Sequence, residues 1–257
     1  MLNNLHYSKT FINNYFGTSK DLVHMDGLSL HSIKNLMNEE MYSYEYKVNE
    51  SNDYFFIIKN HDYSLKELST YKHLSNYGFN VIYLNFSSIN TMGVKESIDL
   101  LIWLDYYIKL YPQINIYLLG IKEGSEIITK SLKSLYPTNV KALILDNFSP
   151  FRYQHLVKSY ARDNGLNYHL FKSLCDLRLS DRFNISSKDL LYQNELRNNK
   201  IPVLFIFDKG RSDEEYKEVL KVYNQNPSYK KFFYSSGIND DKYLKTLNVF
   251  AKTLNSL

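Results

Sequence analysis

Hydrophobic runs of strand length recur along the chain, and stretches with helical spacing of apolar and polar positions separate them. The runs lie at residues 54–58, 81–84, 114–119, 142–145 and 203–207. A run that is apolar at nearly every position is typical of a parallel strand that is covered on both faces. Because strands alternate with helices, we predict an α/β protein whose mostly parallel sheet is built from right-handed crossovers.

The region before these runs has a different pattern. Residues 28–49 are interpreted as two strands joined by a turn near residues 38–40. Apolar and polar side chains alternate over residues 41–46, as in a strand with one buried face. We predict an antiparallel hairpin at an edge of the sheet.

Helical spacing is clearest over residues 97–110, where apolar and polar positions separate into two faces. Residues 1–16 are predicted to form a helix that lies on the domain. Near the other end, a strand is predicted at 229–234 and a last helix from about residue 241.

Residues 150–199 depart from the alternation of strands and helices. They contain no run of strand type, many charges, and Leu and Phe at helical spacing. We predict a helical cap inserted into a single domain that spans residues 1–257. Cys175 lies in this segment and is predicted to be a small core residue.

Composition narrows the possible functions. Hydrophobic residues make up 44% and charged residues 23% of the 257 residues, as in a globular protein. The net charge of +4 is small, and Lys and Arg are scattered among acids, so no nucleic-acid partner is predicted. The single cysteine excludes an internal disulfide and a cysteine metal cluster.

Targeting and cofactor motifs are not found in the sequence. The N-terminal residues have no long apolar core, so we predict neither a signal peptide nor a membrane span, and a cytoplasmic location. The histidines show no metal-binding spacing, and there is no G-x-G-x-x-G motif or P-loop. No metal and no cofactor are therefore predicted.

A short segment, Gly120-Ile121-Lys122-Glu123-Gly124, follows the third hydrophobic run and precedes a helix. A strand, a tight turn between two glycines and a helix form the setting of a nucleophile elbow, whose middle residue sits on a strained turn. The glycines are needed because a Cβ there would meet neighbouring backbone.

Several further segments carry a family resemblance. They are Asp26-Gly27-Leu28-Ser29-Leu30-His31 and residues 78–85, 93–104, 140–146 and 202–207. With the G-x-x-x-G turn, they make the chain resemble the α/β-hydrolase fold family, and within it the bacterial serine hydrolases related to prolyl oligopeptidases. The resemblance extends over nearly the whole chain from about residue 26. It implies helices on both faces of the sheet and a cap.

The catalytic positions that the resemblance implies hold other residues here. The family's nucleophilic serine corresponds to Lys122, the triad acid to Arg211 and the triad histidine to Ile238. No histidine occurs after His169. Asp208 or Asp213 would replace the acid only with a shift in the alignment.

The resemblance also places an H-G pair after an early strand, where it helps to build the oxyanion hole. His61 matches the histidine, but Asp62 replaces the glycine. A carboxylate at this position would repel a developing oxyanion.

Two rebuilt active sites are alternatives. Lys122 is one candidate nucleophile or base, because a desolvated lysine takes either role. Ser125 is the other candidate nucleophile, with His61 as its base, although a hydroxyl in the first turn of a helix usually caps or packs. Asp146 ends a strand at the edge where ligands bind in open α/β sheets, and it also suits a turn or a cap.

The leading hypothesis is a catalytically inactive binding or interaction module, and its rival is a serine hydrolase (an esterase, peptidase or acyl transferase) with a relocated active site. Its partner is predicted to be a protein or a small molecule. The residues predicted to bind are those at the mouth of the former site: Lys59, His61, Asp62, Lys122 and Glu123. There Lys122 is predicted to form a salt bridge with Asp62 or Asp208, and the competing expectation is that it points into solvent.

Overall fold

The computed structural model describes residues 2–15, 27–47, 50–59, 65–86, 90–134, 136–235 and 241–254. Within them the strands form one eight-stranded sheet in the order β1-β2-β4-β3-β5-β6-β7-β8. The strands are β1 (Ser29–Lys34), β2 (Glu40–Tyr46), β3 (Asp53–Ile58), β4 (Asn80–Leu84), β5 (Asn115–Ile121), β6 (Val140–Asp146), β7 (Val203–Asp208) and β8 (Lys230–Ser235).

The pairing of the strands confirms the predicted mostly parallel sheet. Strands β3 to β8 pair with one another only in parallel, with β3 between β4 and β5. Strands β1 and β2 form the predicted antiparallel hairpin, and β2 joins the sheet antiparallel to β4. Asn38, in the turn, has a φ of 62°, a conformation that asparagine tolerates better than most residues.

The α-helices of the described residues lie between the strands and at the ends of the chain. They are α1 (Leu2–Tyr15), α2 (Leu65–Lys72), α3 (Glu96–Leu110), α4 (Glu123–Ser131), α5 (Arg152–Asp163), α6 (Tyr168–Phe183), α7 (Asp213–Gln225) and α8 (Asp241–Leu254). The predicted helices at 1–16, 97–110 and from 241 are confirmed to within one or two residues at their ends.

Helices cover both faces of the sheet. On one face α3, α4 and α7 pack against alternate strand residues, with Trp103 and Ile127 in the cluster. On the other face α2 and α8 pack, with Tyr71 and Tyr243 among the buried residues. Neighbouring strand positions such as Phe55 and Phe56 are both fully buried and belong to opposite faces, which explains the continuous hydrophobic runs.

Residues 150–199 contain α5, α6 and a short 3-10 helix at Glu195–Asn198, and no strand. Their apolar side chains form a third cluster together with α1, where Phe11 packs edge-on against Phe171. Cys175 is buried in this cluster, as predicted. The first helix therefore packs on this segment, whose function as a cap stays a prediction.

Candidate functional site

The turn between β5 and α4 places Lys122 at the carboxyl edge of the sheet. Its backbone has φ 51° and ψ −112°, a conformation that a residue with a Cβ rarely adopts. The Lys122 N–H donates to the carbonyl oxygen of Asp146 at 2.8 Å, and its own carbonyl accepts from the Ser125 N–H at 2.9 Å. These two bonds hold the strained turn between β6 and the start of α4, and the Lys122 side chain is exposed.

The two glycines of the turn allow very close backbone packing. A Cβ on Gly120 would lie 2.6 Å from the carbonyl carbon of Gly124. A Cβ on Gly124 would lie 1.9 Å from the carbonyl oxygen of Ile58, at the end of β3. The steric reason predicted for both glycines is therefore present in the structure.

Ser125 is fully buried in the first turn of α4. Its hydroxyl lies 2.8 Å from the carbonyl oxygen of Gly120 and 3.0 Å from that of Asp146. The hydroxyl thus ties α4 to the ends of β5 and β6. This geometry favours a structural role for Ser125 over the alternative in which it is a nucleophile.

The predicted salt bridge between Lys122 and Asp208 is wrong. None of the ion pairs among the described residues involves Lys122 or Asp208. The Lys122 side chain is exposed. Asp208 instead accepts a hydrogen bond from the Gly210 N–H at 2.9 Å, in the loop after β7. Asp62, the other predicted partner, lies outside the described residues. The exposed side chain matches the competing expectation and lacks the desolvation that a catalytic lysine needs.

Other predicted site residues are dispersed along the carboxyl edge. Lys59 forms an ion pair with Glu67 at 2.8 Å, and Glu123 lies 3.8 Å from Arg152. Asp213 is the exposed first residue of α7. His61, Asp62 and Ile238 fall outside the described residues.

Arg211, at the predicted position of the triad acid, is held firmly in the loop after β7. Its Nη1 donates to the carbonyl oxygen of Phe148 at 2.8 Å, and its Nη2 donates to Glu215 at 2.7 Å. The Arg211 side chain is 14% exposed. A guanidinium in this place cannot accept a proton or orient an imidazole by accepting its N–H.

A buried network around Asp146 lies directly beneath the turn. Asp146 is 7% exposed, and its Oδ2 accepts a hydrogen bond from the Tyr243 hydroxyl at 2.6 Å. The Tyr243 hydroxyl also interacts with that of Tyr71, so the network links β6 to α8 and α2. Burial raises the pKa of the Asp146 carboxyl to about 6, although the Tyr243 hydrogen bond favours the ionised form. The sequence indicated Asp146 as a candidate site residue, because it ends a strand at the carboxyl edge. No sequence pattern indicated its partner Tyr243.

A second buried carboxylate lies on α4. Glu126 is 1% exposed, and Arg152 donates to its two oxygens at 2.9 and 3.0 Å. The Ser149 N–H also donates to Glu126, at 2.8 Å. Burial raises the pKa of the Glu126 carboxyl to about 7, against the pull of the Arg152 guanidinium. Sequence reasoning missed this pair, because its members are 26 residues apart and follow no motif.

The described residues contain neither a metal site nor a membrane-spanning helix. No group of three or more His, Cys, Asp or Glu side chains in this part of the chain is arranged to hold a metal ion. Within the same residues, every helix is either too short or too polar to cross a bilayer.

Comparisons with known proteins support the fold rather than an activity. No family model matches the sequence, and no curated protein matches it. The structure is similar to an esterase from Pyrococcus furiosus, with a TM-score of 0.70 and 14% identity over 93% of this chain and 97% of the other. A carboxyl esterase from Bacillus coagulans gives a TM-score of 0.62 and 12% identity over 90% and 99% of the two chains.

A thioesterase domain from the curacin biosynthetic pathway is also similar, with a TM-score of 0.57 and 12% identity over 89% of this chain and 100% of that domain. At such low identity the likeness concerns the fold alone. The sheet order, the helices on both faces and these similar structures agree with one another. The protein has the α/β-hydrolase fold.

Proposed function

We propose that this protein is a catalytically inactive α/β-hydrolase-like protein that acts as a binding or interaction module. The observation that carries the proposal is the exposed Lys122 on the strained turn between β5 and α4. A nucleophile elbow presents its nucleophile in such a strand–turn–helix setting. Here that position holds a lysine without the burial that would activate it.

The other triad positions support the same proposal. Arg211 is a cation bound to Glu215 and to a backbone carbonyl, so it does not replace an acid. The sequence contains no histidine after His169, so the family's base has no equivalent at its usual place. Loss of the serine or the histidine of such a triad lowers kcat by about 10⁶-fold.

The alternative is a serine hydrolase with a relocated active site, in which Ser125 would be the nucleophile. The buried hydroxyl of Ser125 already contacts two carbonyl oxygens, so it would have to break these contacts before it could attack a substrate. The likeness to esterases favours hydrolysis only through the shared fold. The non-catalytic function is therefore the better supported of the two.

The test is an activity assay with a covalent probe. We expect no turnover of short p-nitrophenyl esters above a heat-treated control, and no labelling by a fluorophosphonate. An active esterase of the same fold serves as the positive control for both reagents. Ester turnover that disappears in Ser125→Ala, with the probe attached to the Ser125 peptide, would contradict the proposal and support the relocated site.

A further inference from the structure

A groove of about 780 Å³ lies between α5 and the start of α7. Ser149, after β6, and Arg211, after β7, place one end of it near the carboxyl edge of the sheet. The side of α5 that carries Arg152 and Leu156 forms one wall. The groove is large enough for a small organic molecule.

Two guanidinium groups that line this groove are bound to the backbone that follows β6. Arg152 donates from Nη2 to the carbonyl oxygen of Asn147 at 2.7 Å, and Arg211 donates from Nη1 to that of Phe148 at 2.8 Å. These carbonyls belong to consecutive residues, so the same stretch of backbone after β6 anchors both cations. Each of the two side chains is only 14% exposed, so the pair is largely fixed in place.

Both guanidinium groups keep N–H donors that are not used within the described part of the chain. The Nη1 of Arg152 has only a contact at 3.8 Å to Glu123, which is longer than a hydrogen bond. Arg211 uses Nη1 and Nη2, so its Nε–H stays available. Such fixed donors on two cations suit the oxygens of a carboxylate or a phosphate.

The lining of the groove combines ion-paired side chains with apolar surface. Each cation that lines the groove has a carboxylate within 4 Å: Arg152 pairs with Glu126, Lys158 with Glu214, Arg162 with Asp163 and Arg211 with Glu215. The apolar lining comes from Leu156 and Leu166, together with the ring of Tyr168. These three side chains also pack on the outside of the cluster that α5 and α6 form. The groove therefore offers unused N–H donors of Arg152 and Arg211 at one end and an apolar wall.

We infer that this groove binds a small amphipathic anion, with its carboxylate or phosphate head group on Arg152 and Arg211 and its apolar body along Leu156 and Leu166. The inference rests on the proposed binding function and places the ligand between α5 and α7 instead of at the Lys122 turn. Arg211, at the position that the resemblance assigns to an acid, becomes a ligand-binding residue.

Calorimetric titration with octanoate, octyl phosphate and the neutral octanamide tests the head group and the site. We expect one of the two anions to bind with a saturable, millimolar or tighter Kd, and octanamide to bind at least about tenfold more weakly. The anion that binds better identifies the head group. In Arg211→Gln the Kd of that anion should rise by about tenfold or more. Arg197→Gln is the matched control, since Arg197 is an exposed guanidinium that contacts Gln225 outside the groove.

Several results would overturn the inference. They are equal binding of octanamide, no saturable binding of either anion, and binding that Lys122→Ala abolishes while Arg211→Gln leaves it intact. If Arg211→Gln does not fold, the Nε–Hε resonances of Arg152 and Arg211 in the unmodified protein must shift on titration instead. Ester hydrolysis is assayed separately. If the protein hydrolyses esters and also binds an anion at Arg211, only the proposed function is contradicted. If it neither hydrolyses esters nor binds an anion, only this inference is contradicted.

Discussion

At the scale of single residues, Lys122 occupies a backbone conformation that costs on the order of 1–3 kcal/mol for a residue with a Cβ. The turn keeps this conformation because hydrogen bonds to Asp146 and Ser125 and the close approach of Gly120 to Gly124 determine it. The conformation therefore depends on the surrounding backbone, and the identity of the side chain at position 122 is free to differ.

We therefore expect Lys122→Ser to fold and to present an exposed hydroxyl without becoming an esterase. The chain has no histidine at position 238 to act as base, and Asp62 stands where the oxyanion glycine is expected. Adding Ile238→His and Asp62→Gly should produce slight activity on p-nitrophenyl acetate. Strong turnover by the single variant would mean that a base exists elsewhere in the site.

Ser125 stabilises the fold through the hydrogen bonds of its buried hydroxyl. Ser125→Ala removes a buried donor and leaves the carbonyl oxygens of Gly120 and Asp146 with fewer partners. We expect the free energy of unfolding to fall by about 1–3 kcal/mol in urea denaturation. Ser180→Ala, on the exposed surface of α6, should change it by less than about 0.5 kcal/mol. Equal effects of the two substitutions would contradict the structural role of Ser125.

At the scale of elements, the contact of α4 with β3 depends on Gly124. The helix approaches the end of β3 so closely that the Gly124 Cα has no room for a methyl group next to the Ile58 carbonyl. The opposing atom is backbone, so the strand itself would have to move. This contact sets the position of α4, and through α4 it sets the positions of Glu126 and Ser125.

Gly124→Ala should therefore reduce the free energy of unfolding by more than about 3 kcal/mol or prevent folding. Gly210→Ala is the matched control, because a Cβ there meets only the Asp208 carboxylate, at 3.5 Å. Thermal unfolding followed by circular dichroism gives both values. A Gly124→Ala protein as stable as Gly210→Ala would show that β3 and α4 separate at little cost.

At the scale of the whole molecule, two buried carboxyl groups connect separate layers. Asp146 joins the centre of the sheet to α8 through Tyr243, and Glu126 joins α4 to α5 through Arg152. Burial raises the pKa of both carboxyl groups, to about 6 and about 7 respectively. Each group is therefore more protonated in the folded state than in the unfolded state over the mildly acidic range.

This difference makes stability depend on pH. Between the ordinary carboxyl pKa and the raised folded values, the unfolded chain has lost protons that the folded protein retains, so the free energy of unfolding falls as pH rises. The contribution of Asp146 to the free energy of unfolding is fully present below about pH 4. It is lost as pH rises through about 6, and the free energy of unfolding falls by an amount on the order of 2–3 kcal/mol.

Asp146→Asn removes the charge and keeps an oxygen that accepts from Tyr243. We expect this variant to lose less stability than the unmodified protein between pH 4 and about 6.5. Urea denaturation at a series of pH values measures the slope, and the remaining slope should decrease further in the double variant with Glu126→Gln. Parallel curves for Asp146→Asn and the unmodified protein would show that Asp146 titrates normally.

Local patterns in the sequence were sufficient for the fold. The hydrophobic runs located the strands β3 to β7, because a strand buried on both faces must be apolar at every position. Helical spacing located α3, and the alternation at 41–46 located β2. The G-x-x-x-G segment located the turn at Lys122, because a Cβ on Gly120 would collide with Gly124 in the turn and a Cβ on Gly124 would collide with Ile58 of β3. Strand and helix ends differed by one or two residues, since end positions depend on neighbouring elements as well as on the chain itself.

The arrangement of charged side chains was decided only by the tertiary structure. Arg152 meets Glu126, Tyr243 meets Asp146, and Arg211 meets the Phe148 carbonyl, over sequence separations for which no periodic pattern exists. Whether Lys122 pairs with a carboxylate or enters solvent also depends on the distances between separate loops. A sequence pattern records which faces are buried, because burial acts on each residue locally. It does not record which of many polar groups become neighbours when the sheet brings distant strand ends to one edge.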